Sequence, residues 1–449
     1  MGGGTFNRKG WKALSHLPDA GGLPFMADVQ VLNNALAYTR SVAQHCGPVA
    51  RTVLGGQPQV LLLSAQAMET VLLDRDRIYS ARGGWEPLLG DLFTRGLLLR
   101  DGEEHRHHRR LMLPAVRREA MAGYLRTMQG RIQDSVTQWY ARGQLAVVPE
   151  LKTLMLSLAA DIFLGLSEAA DIDRAQSDFV ALVDASTALL RLNLPGLKYA
   201  RGLKARRSLL ALLRRLITLR RRQPSDDLLS QLCEAQDEEG QRLSDSEIAD
   251  HLVFLMMAAH DTTASALASM MGLLGGEPEW QSRLREEAQS GLSTQATAVI
   301  RETLRLHPPV PMFSRRTLAE SELHGQRIPA GTLLSLFPLH NQRDAQWWDQ
   351  PDAFRPERWL SGGDAMVAQP ADAHPYAWTP FGGGVHLCLG LHLAEAQMKL
   401  VLQALLLRGS WSWAPGYRPH WRHAPISHPD QNLPLVFEAA GDRSRSRKP

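Results

Sequence analysis

Residues 380 to 391 read PFGGGVHLCLGL, and this stretch limits the chain more than any other. Gly382, Gly383 and Gly384 permit close backbone approach that side chains would block. Cys388 follows at once. Beyond it Leu391, Ala394, Met398, Val401, Leu402 and Leu405 recur at spacings of three and four, which marks one apolar helical face. Cys388 therefore stands just ahead of a helix N-terminus. Free N–H groups and the helix dipole there favour a thiolate over a thiol. A thiolate presented by a glycine-rich loop is a soft metal ligand, and haem iron is one candidate. The competing reading is a buried free cysteine before a helix.

A second feature is a long helix in the middle of the chain. Ser244, Asp245, Ser246 and Glu247 fit a capping box, and Gly275, Gly276 and Pro278 fit its end. About thirty residues lie between, or about 45 Å of helix. Its middle reads MAAHDTTAS. Asp261 and Thr262 interrupt a run that is otherwise apolar, and charged groups are seldom buried without a reason. Ala258 and Ala259 are small enough for a ligand to pack closely. A threonine here can bond back to a carbonyl and bend the helix locally.

Together these stretches resemble the cytochrome P450 family. Phe381, Gly384, His386, Cys388 and Gly390 fill the pattern of its haem-thiolate loop. Asp261 and Thr262 match the acid–alcohol pair of its oxygen groove, with Ala259 where glycine is usual. Glu302 and Arg305 with Arg358, in FRPERW, are similar to its structural triad. In DGEEHRHHRR, His105 and Arg109 lie four apart on one helical face. The resemblance implies that they bind a haem propionate, with Arg315 as a second propionate cation and Arg316 beside it as the alternative register. The match runs from about residue 20 to 438.

The fold implied is mainly α with small β-sheets, with the long helix beside the haem. It would form one catalytic domain over residues 21–438, between a disordered or irregular tail over 1–20 and a basic disordered one over 439–449. Arg51 to Ser64 reads as a hairpin around Gly55-Gly56. Residues 79–97 read as a loop with short helical turns. Residues 324–337 read as two strands about a Pro-Ala-Gly turn, and LPLVF as a last strand. Asp173–Leu192 and Leu203–Arg222 read as a helical pair, which in this family roofs the substrate pocket. Short likenesses to its retinoid- and sterol-metabolising branch lie at LPGLKYARGLKAR and GGLPFMADVQVL.

Three widely spaced cysteines argue against a disulfide framework and suit a reducing cytoplasm. The first twenty residues have no apolar core for a signal peptide or anchor, and the longest apolar run, Leu252–Ala259, has eight residues. The expectation is a soluble cytoplasmic protein of bacterial type, and a monomer. The net charge is +4, with a basic run at 201–224 that reads as a solvated helix face. No aromatic interleaving supports nucleic-acid binding.

By resemblance the cofactor is haem b with Cys388 as axial ligand, seated against Phe381, His386 and Ala258. The chemistry implied is NAD(P)H-fuelled monooxygenation, with Asp261 and Thr262 managing proton delivery. The chain has no G-x-G-x-x-G after a strand and no cysteine cluster. Electrons would therefore come through a separate ferredoxin or flavodoxin with its reductase, and NAD(P)H would act only indirectly. Arg109 and Arg110 would steer such acidic carriers. The pocket positions (79–97, the 180s and 190s, Phe254, Ala258, Val310 to Phe313, the turn near Ile426) are mostly apolar, which points to a fatty acid, a retinoid or another terpenoid. Arg82, Arg95 and Arg100 are candidates to meet its carboxylate. The rival readings are a peroxide-driven peroxygenase, against which the intact Asp261-Thr262 pair counts, a non-catalytic haem sensor, and a helical scaffold with no cofactor.

Overall fold

The computed structural model describes residues 7–21, 26–166, 169–186, 188, 191–362, 366 and 372–440. The first third of the chain holds α1 (Arg8–Ala13), α2 (Met26–Cys46), β1 (Val49–Leu54), β2 (Gln57–Leu62), α3 (Ala65–Leu73), β3 (Tyr79–Ser80), α4 (Ala81–Leu89), α5 (Gly102–Met112) and α6 (Arg118–Arg142). Then come β4 (Gln144–Ala146), α7 (Val147–Leu164), α8 (Ala169–Ser186), α9 (Lys198–Arg222), α10 (Leu228–Glu234), α11 (Asp245–Leu274), α12 (Pro278–Ala288) and α13 (Thr294–Leu306). The last part holds β5 (Phe313–Thr317), β6 (Ser321–Leu323), β7 (Gln326–Ile328), β8 (Leu333–Leu336), α14 (Pro338–Asn341), α15 (Leu391–Arg408), β9 (Gly409–Trp413), β10 (Trp421–Arg422), β11 (His428–Pro429) and β12 (Pro434–Ala439).

Helix α11 is the axis of the helical part. The Ser244 side chain accepts from the Glu247 N–H while Glu247 reaches back to the Ser244 N–H, so the capping box is complete. The helix is apolar almost all round, because α7, α9, α13 and α15 pack against it. Beside this bundle lies a five-stranded sheet in the order β1-β2-β8-β5-β3. Its β2–β8 pair is parallel, and all four residues of β8 are buried, as a strand covered on both faces requires. The other sheets are β4-β12-β9, β6-β7 and β10-β11.

The expected hairpin at 51–64 is β1–β2, paired antiparallel from Val49↔Leu62 to Leu54↔Gln57. Two expectations change. The irregular tail over 1–20 contains α1, and beyond it Leu14 and Leu17 are buried against the β-sheet side of the molecule. The stretch 79–97 is not mainly loop, since α4 fills nine residues of it. The two strands expected about the Pro-Ala-Gly turn are β7 and β8; β7 pairs with β6, while β8 joins the main sheet. The basic tail expected at 439–449 lies, from residue 441 on, outside the described residues.

Candidate active site

The glycine-rich loop is pressed against the end of α3. Gly384 has φ +60°, and a Cβ there would lie 1.9 Å from the Leu72 carbonyl oxygen, so only glycine fits. The Leu387 N–H closes back on the Gly384 carbonyl at 3.1 Å, and the Cys388 N–H donates to the Phe381 carbonyl at 2.9 Å. These turns aim the Cys388 side chain while α15 begins three residues later.

The Cys388 thiol is accessible, yet protein atoms crowd round it, so its free surface faces into the fold. Burial pushes its pKa up. A hydrogen bond from the Gly390 N–H and the charge of Arg109 pull it down, and burial prevails. The helix terminus thus assists the thiolate as the sequence suggests, but does not secure it alone. A bound cation would reverse that balance.

Three elements bring polar groups to this thiol. Helix α5 supplies His105 and Arg109, one turn apart. His105 is 1% exposed, and neither of its ring nitrogens has a hydrogen-bond partner. Burial and neighbouring Arg109 push its pKa down to about 4. Arg109 is half-buried, with no carboxylate paired to it among the described residues. The loop supplies His386, whose ring lies against that of His105 with centroids 3.9 Å apart. Burial, then Arg315, His105 and Arg109, push the His386 pKa to about 2. Strand β5 supplies Arg315, which is buried and donates to its own neighbour's carbonyl, Ser314 O, at 2.9 Å. Burial lowers its pKa to about 10 against the pull of Asp101 and Asp74. Arg316 faces the other way and holds the Gly83 and Gly331 carbonyls.

Among the described residues, two cations without a direct carboxylate contact and a buried imidazole with no hydrogen-bond partner cluster beside the loop that carries the accessible thiol. Buried polar groups are rarely left unsatisfied. The set suits an anion bearing more than one acid group and a soft metal at the sulfur. Haem, with two propionates and an iron, fits both.

On α11 the Thr262 hydroxyl donates to the Ala258 carbonyl at 2.5 Å, the back-bond its position suggests. Asp261 lies 3.0 Å from Lys152 Nζ of α7 and 3.3 Å from His260 Nδ1. His260 Nε2 pairs with the Lys152 carbonyl at 3.0 Å. The Lys152 side chain is 51% exposed, so this pair reaches solvent.

A sequence model of the family described as cytochrome P450 matches residues 18–423. The chain belongs to the cytochrome P450 family. It is 33% identical to putative cytochrome P450 136 of Mycobacterium tuberculosis over 434 residues, covering 93% of this chain and 87% of that one. It is 29% identical to cytochrome P450 26A1 of Gallus gallus, covering 94% and 89%. A solved structure of retinoic acid bound cyanobacterial CYP120A1 superposes with a TM-score of 0.83 at 27% identity, over 94% of this chain and 99% of that one. Cytochrome P450s are haem-thiolate monooxygenases that use dioxygen and a redox partner, and this chain is an enzyme of that class. No described helix is long and apolar enough to cross a membrane.

Within the P450 frame the structure gathers Cys388, His105, Arg109, Arg315 and His386 into one cluster. Asp261, Thr262 and Ala258 share α11, and Phe381 accepts the Cys388 N–H. The triad is present in the core: Glu302 meets Arg305 and Arg358, and also accepts from Trp359 Nε1 at 2.9 Å and from the Arg355 N–H at 2.9 Å. The three arginines offered for a substrate carboxylate are engaged elsewhere. Arg82 pairs with Glu86 and Arg95 with Glu104; Arg100 is buried between Glu104 and His108. Sequence reasoning missed Lys152, Asp74 and Asp101. Lys152 and Asp101 act across distant segments, while Asp74, bonded to the Ile78 and Tyr79 N–H groups nearby, reaches Arg315 only electrostatically; no local pattern marks such partners.

Proposed function

We propose that Cys388 would ligate the iron of haem b, that Arg109, Arg315 and His105 would hold its propionates, and that the enzyme hydroxylates a lipophilic acid of the retinoid or long-chain fatty acid kind. The observation that carries this is the pair of carboxylate-free cations and the unsatisfied His105 imidazole around the accessible Cys388 thiol. When bound, thiolate-ligated haem supplies dioxygen activation. One oxygen atom enters the substrate, and the other leaves as water with two electrons and two protons.

The chain's own residues manage the protons. The Thr262 hydroxyl, part-buried on α11, is anchored on Ala258 O. Asp261 exchanges protons with solvent beside the half-exposed Lys152 ammonium. His260, buried against Lys152 O, keeps the α7–α11 seam closed. The turn at Ile426 is tied to α11 through Ser265 and to the Pro308 carbonyl through Ser427, which fixes that wall of the pocket.

An apolar ligand with an acid group accords with the mostly apolar pocket positions and with the retinoic acid named in the cyanobacterial structure. No dinucleotide or flavin fingerprint is present in the sequence, so a ferredoxin or flavodoxin is the proposed electron donor. The test is the carbon monoxide difference spectrum of the reduced protein, followed by ferric titration with retinoic acid and fatty acids. A strongly red-shifted Soret band supports Cys388 ligation, and a low- to high-spin shift selects the substrate class. A band typical of histidine-ligated haem in fresh protein overturns the reading.

A further inference from the structure

Asp101 is the N-cap residue of α5, yet its carboxylate does not cap α5. It reaches instead to the start of α4. Asp101 Oδ1 accepts from the Ala81 N–H at 2.9 Å and from the Arg82 N–H at 3.3 Å, and Oδ2 accepts the Ser80 hydroxyl. The Ser80 oxygen in turn accepts from the Gly83 N–H at 2.7 Å. A carboxylate at a helix N-terminus is favourably placed. The same Oδ1 lies 3.8 Å from His386 Nε2 on the thiolate loop, and Asp101 acts electrostatically on buried Arg315.

Helix α4 also lies directly on β5 at that point. A Cβ on Gly84 would come within 2.6 Å of the Arg315 nitrogen, so no side chain separates helix from strand. The far end of α4 is bound by Arg191, in the segment that joins α8 to α9. Arg191 donates to the Pro87 and Leu88 carbonyls at 2.9 and 2.8 Å. Just beyond, Tyr199 donates to Asp91 at 2.7 Å and Arg206 to the Leu92 carbonyl at 3.0 Å.

We propose that Asp101 is a positioning residue, and that α4 is a stiff link which couples the α8–α9 pair, held by Arg191, to the His386–Arg315 edge of the Cys388 site. The link rests on the haem reading given above. It makes the grip on the cofactor depend on how the α8–α9 pair is seated.

Three variants test this: Asp101→Asn, Ser80→Ala and Arg191→Gln, each as full-length holoprotein. The measurements are the ferric/ferrous midpoint potential, the rate of haem loss to apomyoglobin, and hydrogen exchange at residues 81–89 and 384–388. Asp101→Asn raises the potential, because a negative charge leaves the cofactor edge. Ser80→Ala loosens α4 with that charge in place and leaves the potential unchanged. Arg191→Gln, outside the cofactor site, speeds exchange at 384–388 and speeds haem loss about two- to fivefold, the range of one exposed charged contact. The double variant with Asp101→Asn loses haem more slowly than the product of the single effects. An unchanged potential in Asp101→Asn reduces that residue to a helix cap and overturns the proposal. Wild-type haem loss in Arg191→Gln, or effects that multiply, also overturns it. A wild type without the red-shifted carbon monoxide band sinks the haem reading instead. Exchange at 384–388 in Arg191→Gln then decides the link by itself: acceleration upholds it and no change removes it.

Discussion

The Glu302 carboxylate receives both Arg305 Nε and Arg305 Nη2 at 2.8 Å, and both side chains are fully buried. The other Arg305 nitrogen holds the Gln342 and Pro351 carbonyls at 2.8 and 2.7 Å, so the pair ties α13 to the segment that leads into the thiolate loop. Breaking a buried ion pair from one side leaves an uncompensated charge. Glu302→Gln is expected to cost about 3–5 kcal/mol in chemical denaturation. Arg305→Lys is expected to fail as well, because an ammonium cannot make the bidentate contact.

The same pair sets a pH dependence. Burial by itself would raise the Glu302 pKa, but the Arg305 bonds and the charges of Arg305 and Arg358 outweigh it, and the folded value lies below the ordinary one. A carboxyl depressed in the folded state contributes stability that is present above its unfolded pKa and lost as pH falls through the folded value. Stability is expected to drop on acidification below the ordinary carboxylate range, and less so in Glu302→Gln, followed by melting temperature against pH.

Cofactor affinity tests the cluster at Cys388. A charge-assisted hydrogen bond is worth about 1.5–3 kcal/mol. Arg109→Ala and Arg315→Ala should each weaken haem binding roughly 10- to 100-fold in a Soret titration of apoprotein. His105→Phe keeps the packing and removes the ring nitrogens. If His105 binds a propionate, this variant loses affinity, and if it is packing alone, the titration is unchanged.

How legible this was in the sequence depended on range. The thiolate loop, the capped central helix and the hairpin were readable, because each signal sits within one element: glycines beside Cys388, Ser244 three residues before Glu247, Gly55-Gly56 between two strands. Arg315 could not be told from Arg316 until β5 was paired with β8, since strand alternation alone does not say which face is inward. Helix α4 was missed because two glycines and Pro87 weaken its propensity, and Ser80 and Asp101 supply what the sequence lacks. Lys152 and Asp261 are 109 positions apart, and only the α7–α11 packing joins them.

Gly84 offers a test of close packing. A Cβ there would meet the Ser314 carbonyl carbon at 2.5 Å and the Arg315 nitrogen at 2.6 Å, and neither is a flexible side-chain tip. Gly84→Ala should therefore destabilise by about 1–3 kcal/mol, although alanine is the better helix former. Denaturant midpoints of Gly84→Ala and Gly123→Ala make the comparison. Gly123 lies within α6, where only the tip of Arg126 comes within 4 Å of a built Cβ, so its alanine variant is expected to be neutral or stabilising.

Proton delivery makes the last prediction. Thr262 donates its hydroxyl proton to Ala258 O, so removing it costs the fold one hydrogen bond, about 1 kcal/mol, and leaves α11 helical. Thr262→Ala should therefore fold and bind haem normally. Its effect should fall on coupling. With a saturating substrate, reductant is still consumed, but product per electron pair drops by roughly tenfold or more, and hydrogen peroxide makes up the difference. Lys152→Met should act differently. It leaves Thr262 intact and takes the cation from Asp261, slowing proton exchange rather than misplacing the donor. The expected result is a lower rate with a larger solvent isotope effect and near-normal coupling. Should Lys152→Met uncouple as strongly as Thr262→Ala, the two residues share one role; should Thr262→Ala stay fully coupled, the alcohol has no part in proton delivery.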